Sequence, residues 1–135
     1  MIRAAVEADM HRLIEVGRKF HDAAGFKFDL DEDALGSFLS GLISSDQGAV
    51  LISDHGVIGG VLAPSYSNPS WVMAVELFWW AERDGLALLK AFEDWARSAG
   101  ASEVRMSSLA SLPRADVLLR HKGYAATEIS YSKGL

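Results

Sequence analysis

The strongest hydrophobic pattern in the chain runs over residues 71–80, WVMAVELFWW. In an extended chain Trp71, Met73, Val75, Leu77 and Trp79 take one face, and Val72, Ala74, Glu76, Phe78 and Trp80 take the other. Both faces are apolar except at Glu76, which predicts a central strand covered on both sides. A very short turn then gives way to a helical period. Leu88, Leu89, Phe92, Trp95, Ala96 and Ala99 form one stripe, and Lys90, Glu93, Asp94 and Arg97 the opposite side, with Glu93 and Arg97 spaced to pair. Asp84 is placed to cap this helix and Gly100 to end it. A strand running straight into a helix aims the free N–H groups of the helix at the strand's carboxyl end. That arrangement favours an anion, above all a phosphate.

Upstream, residues 2–6 predict a short strand. Asp9 is placed to cap a helix on which Leu13, Ile14, Gly17, Phe20, His21 and Ala24 share a face, and Gly25 stops it. Phe26, Phe28 and Leu30 alternate with Lys27 and Asp29 as an extended link. Asp31, Glu32 and Asp33 open a second helix, where acidic groups favour the positive end of the dipole. Its apolar face is Leu35, Phe38, Leu39, Leu42 and Ile43. Residues 49–53 and 57–63 flank Asp54-His55-Gly56 as a hairpin, and 64–70 read as a polar loop. Beyond the central unit, 103–109 predict a strand reached through a helix and therefore parallel to the central one. Pro113 opens a short helix that Gly123 ends, and 125–133 read as a last strand. The order β-α-α-β-β-β-α-β-α-β predicts a mixed, twisted sheet flanked by helices, of α/β (α+β) class, in one domain over residues 1–135.

Composition narrows the chemistry. Half of the 135 residues are apolar, which supports a proper core. A net charge of −5 removes the electrostatic reason to expect a nucleic-acid partner. There is no cysteine, so disulfides, thiolate metal ligands and a cysteine nucleophile are excluded, in keeping with a cytoplasmic protein. The first residues carry acidic groups within their apolar pattern, so neither a signal peptide nor a membrane span is expected. His11, His21, His55 and His121 lack ligand spacing, and no metal site is expected.

The order of elements, with ELFWW followed by GLALLKAFEDWA and later LLRHKGYAATEISYSK, resembles the GNAT acyltransferase superfamily over nearly the whole chain. The resemblance implies an N-acetyltransferase using acetyl-coenzyme A as co-substrate. The central strand and the next helix would bind it, with the pantetheine in a gap between that strand and its parallel neighbour. The family's phosphate loop reads Gln/Arg-x-x-Gly-x-Gly/Ala before a helix with a Leu-Leu pair. Setting Leu88-Leu89 on that pair puts Gly85 on the last loop position, Arg83 on the middle glycine and Trp80 on the leading residue. The loop is thus short and degenerate, with Arg83 offering charge and donors in place of a glycine. Gly123-Tyr124 and Tyr131-Ser132-Lys133 match a late family segment. A tyrosine that the family often carries as acid for the thiolate is Leu119 here.

Acyl transfer to an amine needs a polarised carbonyl, a route for the amine's proton and a donor for the leaving thiolate. The resemblance assigns the carbonyl to the backbone of Leu77, Phe78 and Trp79, and the pyrophosphate to the segment Arg83, Asp84, Gly85, Leu86 and Ala87. Glu76, a lone carboxylate in an apolar strand, should have a raised pKa and so suit a general base. The plainer alternative is a structural carboxylate bonded to a neighbouring strand. Tyr131 and Tyr124 are candidate proton donors, weighed against simple packing. Ser107 and Ser108 can bond a pantetheine amide or orient a water, or only satisfy a strand end. Trp71, Trp79, Trp80 and Trp95 read as core and dimer surface, which makes a homodimer plausible. The acceptor, a small-molecule or peptide amine, is expected between the first two helices and the last strand, in a cleft shaped by residues 27–30 and 64–70. Phe26 and Phe28 give it some apolar character. The alternative function is a catalytically inactive GNAT-like binding or protein-interaction module that has lost tight coenzyme A binding.

Overall fold

In the computed structural model, which describes residues 1–135, a five-stranded sheet of order β1-β2-β3-β4-β5 lies between two helical layers. Along the chain come β1 (Arg3–Ala4), α1 (Met10–Ala24), α2 (Glu32–Ser44), β2 (Gly48–Ile52), β3 (Gly56–Ser65), β4 (Asn68–Ala81), α3 (Gly85–Ser98), β5 (Glu103–Arg105) and α4 (Arg114–His121). Neighbouring strands are antiparallel except β4 and β5, whose helical crossover makes them parallel. One core fills the space between the sheet and α1–α2, with Leu13, Leu39, Leu42, Val50, Ile52 and Val57 at its centre. The other lies under α3 and is built from Ile58, Ala74, Leu88, Phe92 and Ala96. Burial of both faces is why β4 reads apolar on both sides. No helix is long and apolar enough to cross a membrane.

Helix ends follow local chemistry. Asp31 accepts a hydrogen bond from the Ala34 N–H at 3.0 Å and caps α2. Asp31→Ala is expected to cost about 1 kcal/mol, seen as a lower urea midpoint at constant slope. An unchanged midpoint would mean that the cap adds nothing. Gly25, Gly100 and Gly123 end their helices with φ of 70°, 82° and 89°.

Asp9 is not the cap of α1. Its carboxylate takes the Arg3 guanidinium and the Val6 N–H, all at 2.8 Å, and so closes the 3-10 turn Glu7–Asp9. Asp84 makes no capping bond either, because its backbone is not in the extended conformation that a capping side chain needs. Arg97 pairs with Asp94 at 3.1 Å rather than with Glu93, which instead accepts from the Tyr124 hydroxyl at 2.8 Å.

The strands depart from the alternation in four places. First, β4 carries a bulge: Gly59 pairs with Phe78 and Gly60 with Glu76, leaving Leu77 as an extra residue. One extra residue reverses the parity of the positions beyond it. Phe78 and Trp80 therefore enter the α1–α2 core and Trp79 the α3 core, while Glu76 shares the α3 side with Ala74. Second, residues 64–70 are not a loop. β3 continues to Ser65 and β4 begins at Asn68, so only Tyr66 and Ser67 turn. This turn stands at the opposite end of β4 from α3 and does not border the gap beside Glu76. Trp71 is 46% exposed and its indole N–H donates to Glu103 at 2.9 Å, so it is not core. Third, β5 stops at Arg105 instead of reaching residue 109. Fourth, residues 125–133 form no strand and every one of them is exposed. A strand exists only where an edge pairs with it, and here the outer edge of β5 has no neighbour.

Candidate active site

β4 and β5 pair as far as Val75 and Arg105, and then part. At the point of parting, Glu76 Oε1 accepts from both the backbone N–H and the hydroxyl of Ser107, each at 2.9 Å. The carboxylate thus stands where the next rung of the ladder would be and holds the two strands at a fixed spacing. Glu76 is 7% exposed. Burial pushes its pKa up, and the two Ser107 bonds pull it part of the way back. Oε2 has no hydrogen-bond partner, yet no buried side-chain oxygen in the molecule lacks one, so Oε2 reaches the surface. One oxygen is structural and the other is free to take a proton.

Just past Glu76 the bulge at Leu77 lifts the main chain out of regular pairing, and on the β5 side the main chain from Glu76 to Ala81 has no strand partner. Only Glu82, Arg83 and Asp84 separate β4 from α3. At the helix entry the N–H groups of Leu86 and Ala87 have no acceptor in the protein, while that of Gly85 turns to the Arg83 carbonyl. The Trp79 indole donates to the Gly85 carbonyl at 3.2 Å and fixes the first turn against the sheet. Glu82 is held by Lys19 at 2.8 Å, which keeps its carboxyl below the usual range. Arg83 is exposed and makes no ion pair, so its charge is available.

The fold brings Glu76, Leu77, Phe78, Trp79 and the segment from Arg83 to Ala87 to one end of the sheet. Ser107, not Ser108, is the serine bonded to Glu76; Ser108 is exposed and makes no side-chain bond. Tyr131 is 88% exposed and makes no hydrogen bond. Tyr124 is tied to Glu93, and burial together with that carboxylate pushes its phenol well above the ordinary value.

An aromatic cluster at the end of α1 emerges only in three dimensions. Phe26 and Phe28 stack with centroids 5.1 Å apart, and Phe20 meets Trp80 edge-on at 6.3 Å. His21 Nε2 lies 2.8 Å from the Phe28 carbonyl. The Ser111 hydroxyl donates to the Ala24 carbonyl at 2.9 Å and ties the β5–α4 connection to this corner. The Phe-x-Phe spacing was the available signal; that Trp80 joins the cluster depends on the bulge.

No protein-family model matches the chain, and no curated protein matches it in sequence. Among solved structures the likeness is strong: the chain has the GNAT fold, a mixed sheet with the central strands splayed beside a helix entry. The tetramutant of the BH1408 protein from Bacillus halodurans matches with a TM-score of 0.82 at 14% identity, over 100% of this chain and 99% of that one. A predicted acetyltransferase from Clostridium acetobutylicum, solved with acetyl-CoA, matches with a TM-score of 0.78 at 12% identity, over 99% and 95%. The aminoglycoside acetyltransferase meta-AAC0020 from an uncultured soil metagenomic sample matches with a TM-score of 0.75 at 16% identity, over 100% and 95%.

Proposed function

We propose that this protein transfers an acetyl group from acetyl-coenzyme A to a primary amine, by direct attack of the amine on the thioester within a ternary complex. The observation that carries the reading is the gap between β4 and β5, held open by Glu76 and Ser107 beside a helix entry whose Leu86 and Ala87 N–H groups have no acceptor in the protein. The residues present fit the co-substrate. The free N–H groups of Leu86 and Ala87 and the unpaired Arg83 suit a pyrophosphate. The main chain of β4 from Leu77 to Trp79 has no partner on the β5 side, and that edge suits pantetheine amides and a thioester oxygen, as an added strand would. That solved acetyltransferases share the fold supports the same class of reaction.

Each role rests on what the group can do. Backbone N–H groups at Leu77 to Trp79 stabilise the oxyanion as the amine nitrogen bonds to the carbonyl carbon. Glu76 Oε2, with its pKa raised by burial, accepts the proton that the nitrogen must lose. The carbon–sulfur bond then breaks and the thiolate leaves, to be protonated by solvent. The aromatic corner of Phe20, Phe26, Phe28 and Trp80 lines the acceptor side, where a ring or alkyl portion of the amine can lie. The soil enzyme has also been solved in complex with sisomicin, a precedent for a small-molecule acceptor on this fold.

The test is calorimetric titration with acetyl-coenzyme A, with ATP as the control. Selective micromolar binding is expected, and Arg83→Ala should weaken it by about tenfold without lowering the melting temperature. Unchanged affinity would remove Arg83 from the site. A second reading is a binding module without catalysis. It draws on Asp84, whose carboxylate sits uncapped at the helix entry and opposes a bound pyrophosphate. Absence of binding at millimolar acetyl-coenzyme A would favour it.

A further inference from the structure

Beside Glu76 stands a hydroxyl, that of Ser107, that takes no part in the bond changes of the transfer. It donates to Glu76 Oε1 at 2.9 Å, and the Ser107 backbone N–H donates to the same oxygen at the same distance. Two donors on one oxygen stop the carboxylate from turning about its last side-chain bond, because a turn would leave both unpaired. Oε2 is then always the oxygen that faces outward. No other side chain bonds to Glu76, and none that titrates is turned towards it. From Trp71 to Ala81 its own strand carries no other ionisable residue. β3 faces it with Gly60, and α3 lays the Phe92 ring over that glycine. The charges of the adjoining elements are engaged elsewhere. Arg105 of β5 lies 3.4 Å from Glu103, Glu93 of α3 accepts from Tyr124 at 2.8 Å, and Lys90 and Arg97 both pair with Asp94.

We propose that the Ser107 hydroxyl is a positioning residue for the acyl transfer: by holding Oε1 it presents Oε2 to the attacking amine and keeps the carboxylate ionised until the nitrogen has a proton to lose. This rests on Glu76 being the base. The backbone N–H is enough to tie the two strands together; the hydroxyl adds the second donor that fixes the carboxylate's orientation. A hydrogen bond to an ionised carboxylate is stronger than one to the neutral acid, so each donor favours the ionised form. Burial pushes the other way, and a base that was already protonated would have nothing to accept. During the step an N–H bond of the amine breaks and an O–H bond forms at Oε2. Oε1 then becomes a carbonyl oxygen, which the same two donors still fit, so the carboxyl stays in place throughout.

The Glu76 carboxyl can be followed directly by carbon-13 NMR of the free protein labelled in glutamate, with Glu76→Gln identifying the resonance. Its titration midpoint should rise in Ser107→Ala, which keeps the backbone bond, and return to the wild-type value in Ser107→Thr, whose extra methyl has room because residue 107 is exposed. An unmoved midpoint in Ser107→Ala overturns the proposal. In the unmodified protein the Ser107 amide proton should titrate with the same midpoint as the carboxyl. This check needs no variant to fold, and an amide that ignores the titration overturns the proposal too. Activity is read as thiol release from acetyl-coenzyme A with benzylamine as the probe amine, each variant taken as a ratio to wild type. Ser107→Ala should be about tenfold slower on the acid side of the profile and equal to wild type at alkaline pH, with Ser107→Thr overlaying wild type. A loss of the same size at every pH would make the serine merely structural. The NMR titration needs neither acetyl-coenzyme A nor an amine, so the two kinds of failure are told apart. A midpoint that moves while the activity profile stays put overturns Glu76 as the base, and Ser107's part with it; a midpoint that stays put overturns the Ser107 proposal alone.

Discussion

Replacing Glu76 by glutamine is expected to lower kcat by about 10²–10³-fold while leaving acetyl-coenzyme A affinity nearly unchanged. The amide keeps an oxygen to accept the two Ser107 bonds, so the spacing of β4 and β5 is retained. What is lost is the free oxygen's ability to take a proton. Wild-type kcat should rise with pH through a pKa above the ordinary carboxylate value, because burial raises it. The glutamine variant should show a low, flat profile over the same range. Thiol release is a clean readout here, since the chain contributes no thiol of its own. Full activity of the variant at every pH would end the case for a general base.

The same shift carries a sign for stability. A carboxylate whose native pKa is raised stabilises the fold fully below its unfolded value, and that contribution is lost as pH rises through the native value. The glutamine variant should therefore gain melting temperature relative to wild type as pH rises from the ordinary carboxylate value through the raised native one. A loss over that interval would mean that the Ser107 bonds outweigh burial.

Gly60→Ala should destabilise the protein by about 3 kcal/mol, a fall in melting temperature on the order of 10 °C. A Cβ at Gly60 would lie 2.2 Å from the Val75 carbonyl oxygen and 2.7 Å from the Phe92 ring. The carbonyl belongs to β4 directly before the bulge, and Phe92 is wholly buried, so neither neighbour yields cheaply. Gly41→Ala is the control. It sits in α2 with nothing within 4 Å of the added Cβ, and there the change should stabilise by about 0.5–1 kcal/mol through helix propensity. If the Gly60 variant melts with wild type, the bulge does not need a close approach of β3.

Much of this architecture is written in local chemistry. The apolar periods placed β4 and α3, Asp31 marked the start of α2, and Gly25, Gly100 and Gly123 marked helix ends. Glu76 stood out because it is the one polar side chain in an otherwise apolar run, and it does lie where the sheet opens. The bulge was hidden for the same reason. With Val75, Leu77, Phe78 and Trp79 all apolar, no polar position reports the change of parity, and the paired Gly59-Gly60 on the facing strand was the only mark of it. The run EVRMSSL keeps its alternation past Arg105, but the ladder ends because a side chain takes the place of a backbone rung at Ser107. Residues 125–133 have the composition of a strand, and composition says nothing about which edge will receive it. Tyr131 lies on that segment, and its surroundings depend wholly on where the segment pairs.

The parting of β4 and β5 also divides the molecule mechanically. From Val72 to Glu76 the central strand is bonded on both edges, to β3 on one side and to residues 102–107 on the other, and from Leu77 onward to β3 alone. Spontaneous opening should therefore begin at the end nearest α3 and stop at Glu76, like a zip with one stitched end. Beyond Glu76 the gap can widen and close around a passing molecule while the rest of the sheet keeps its register.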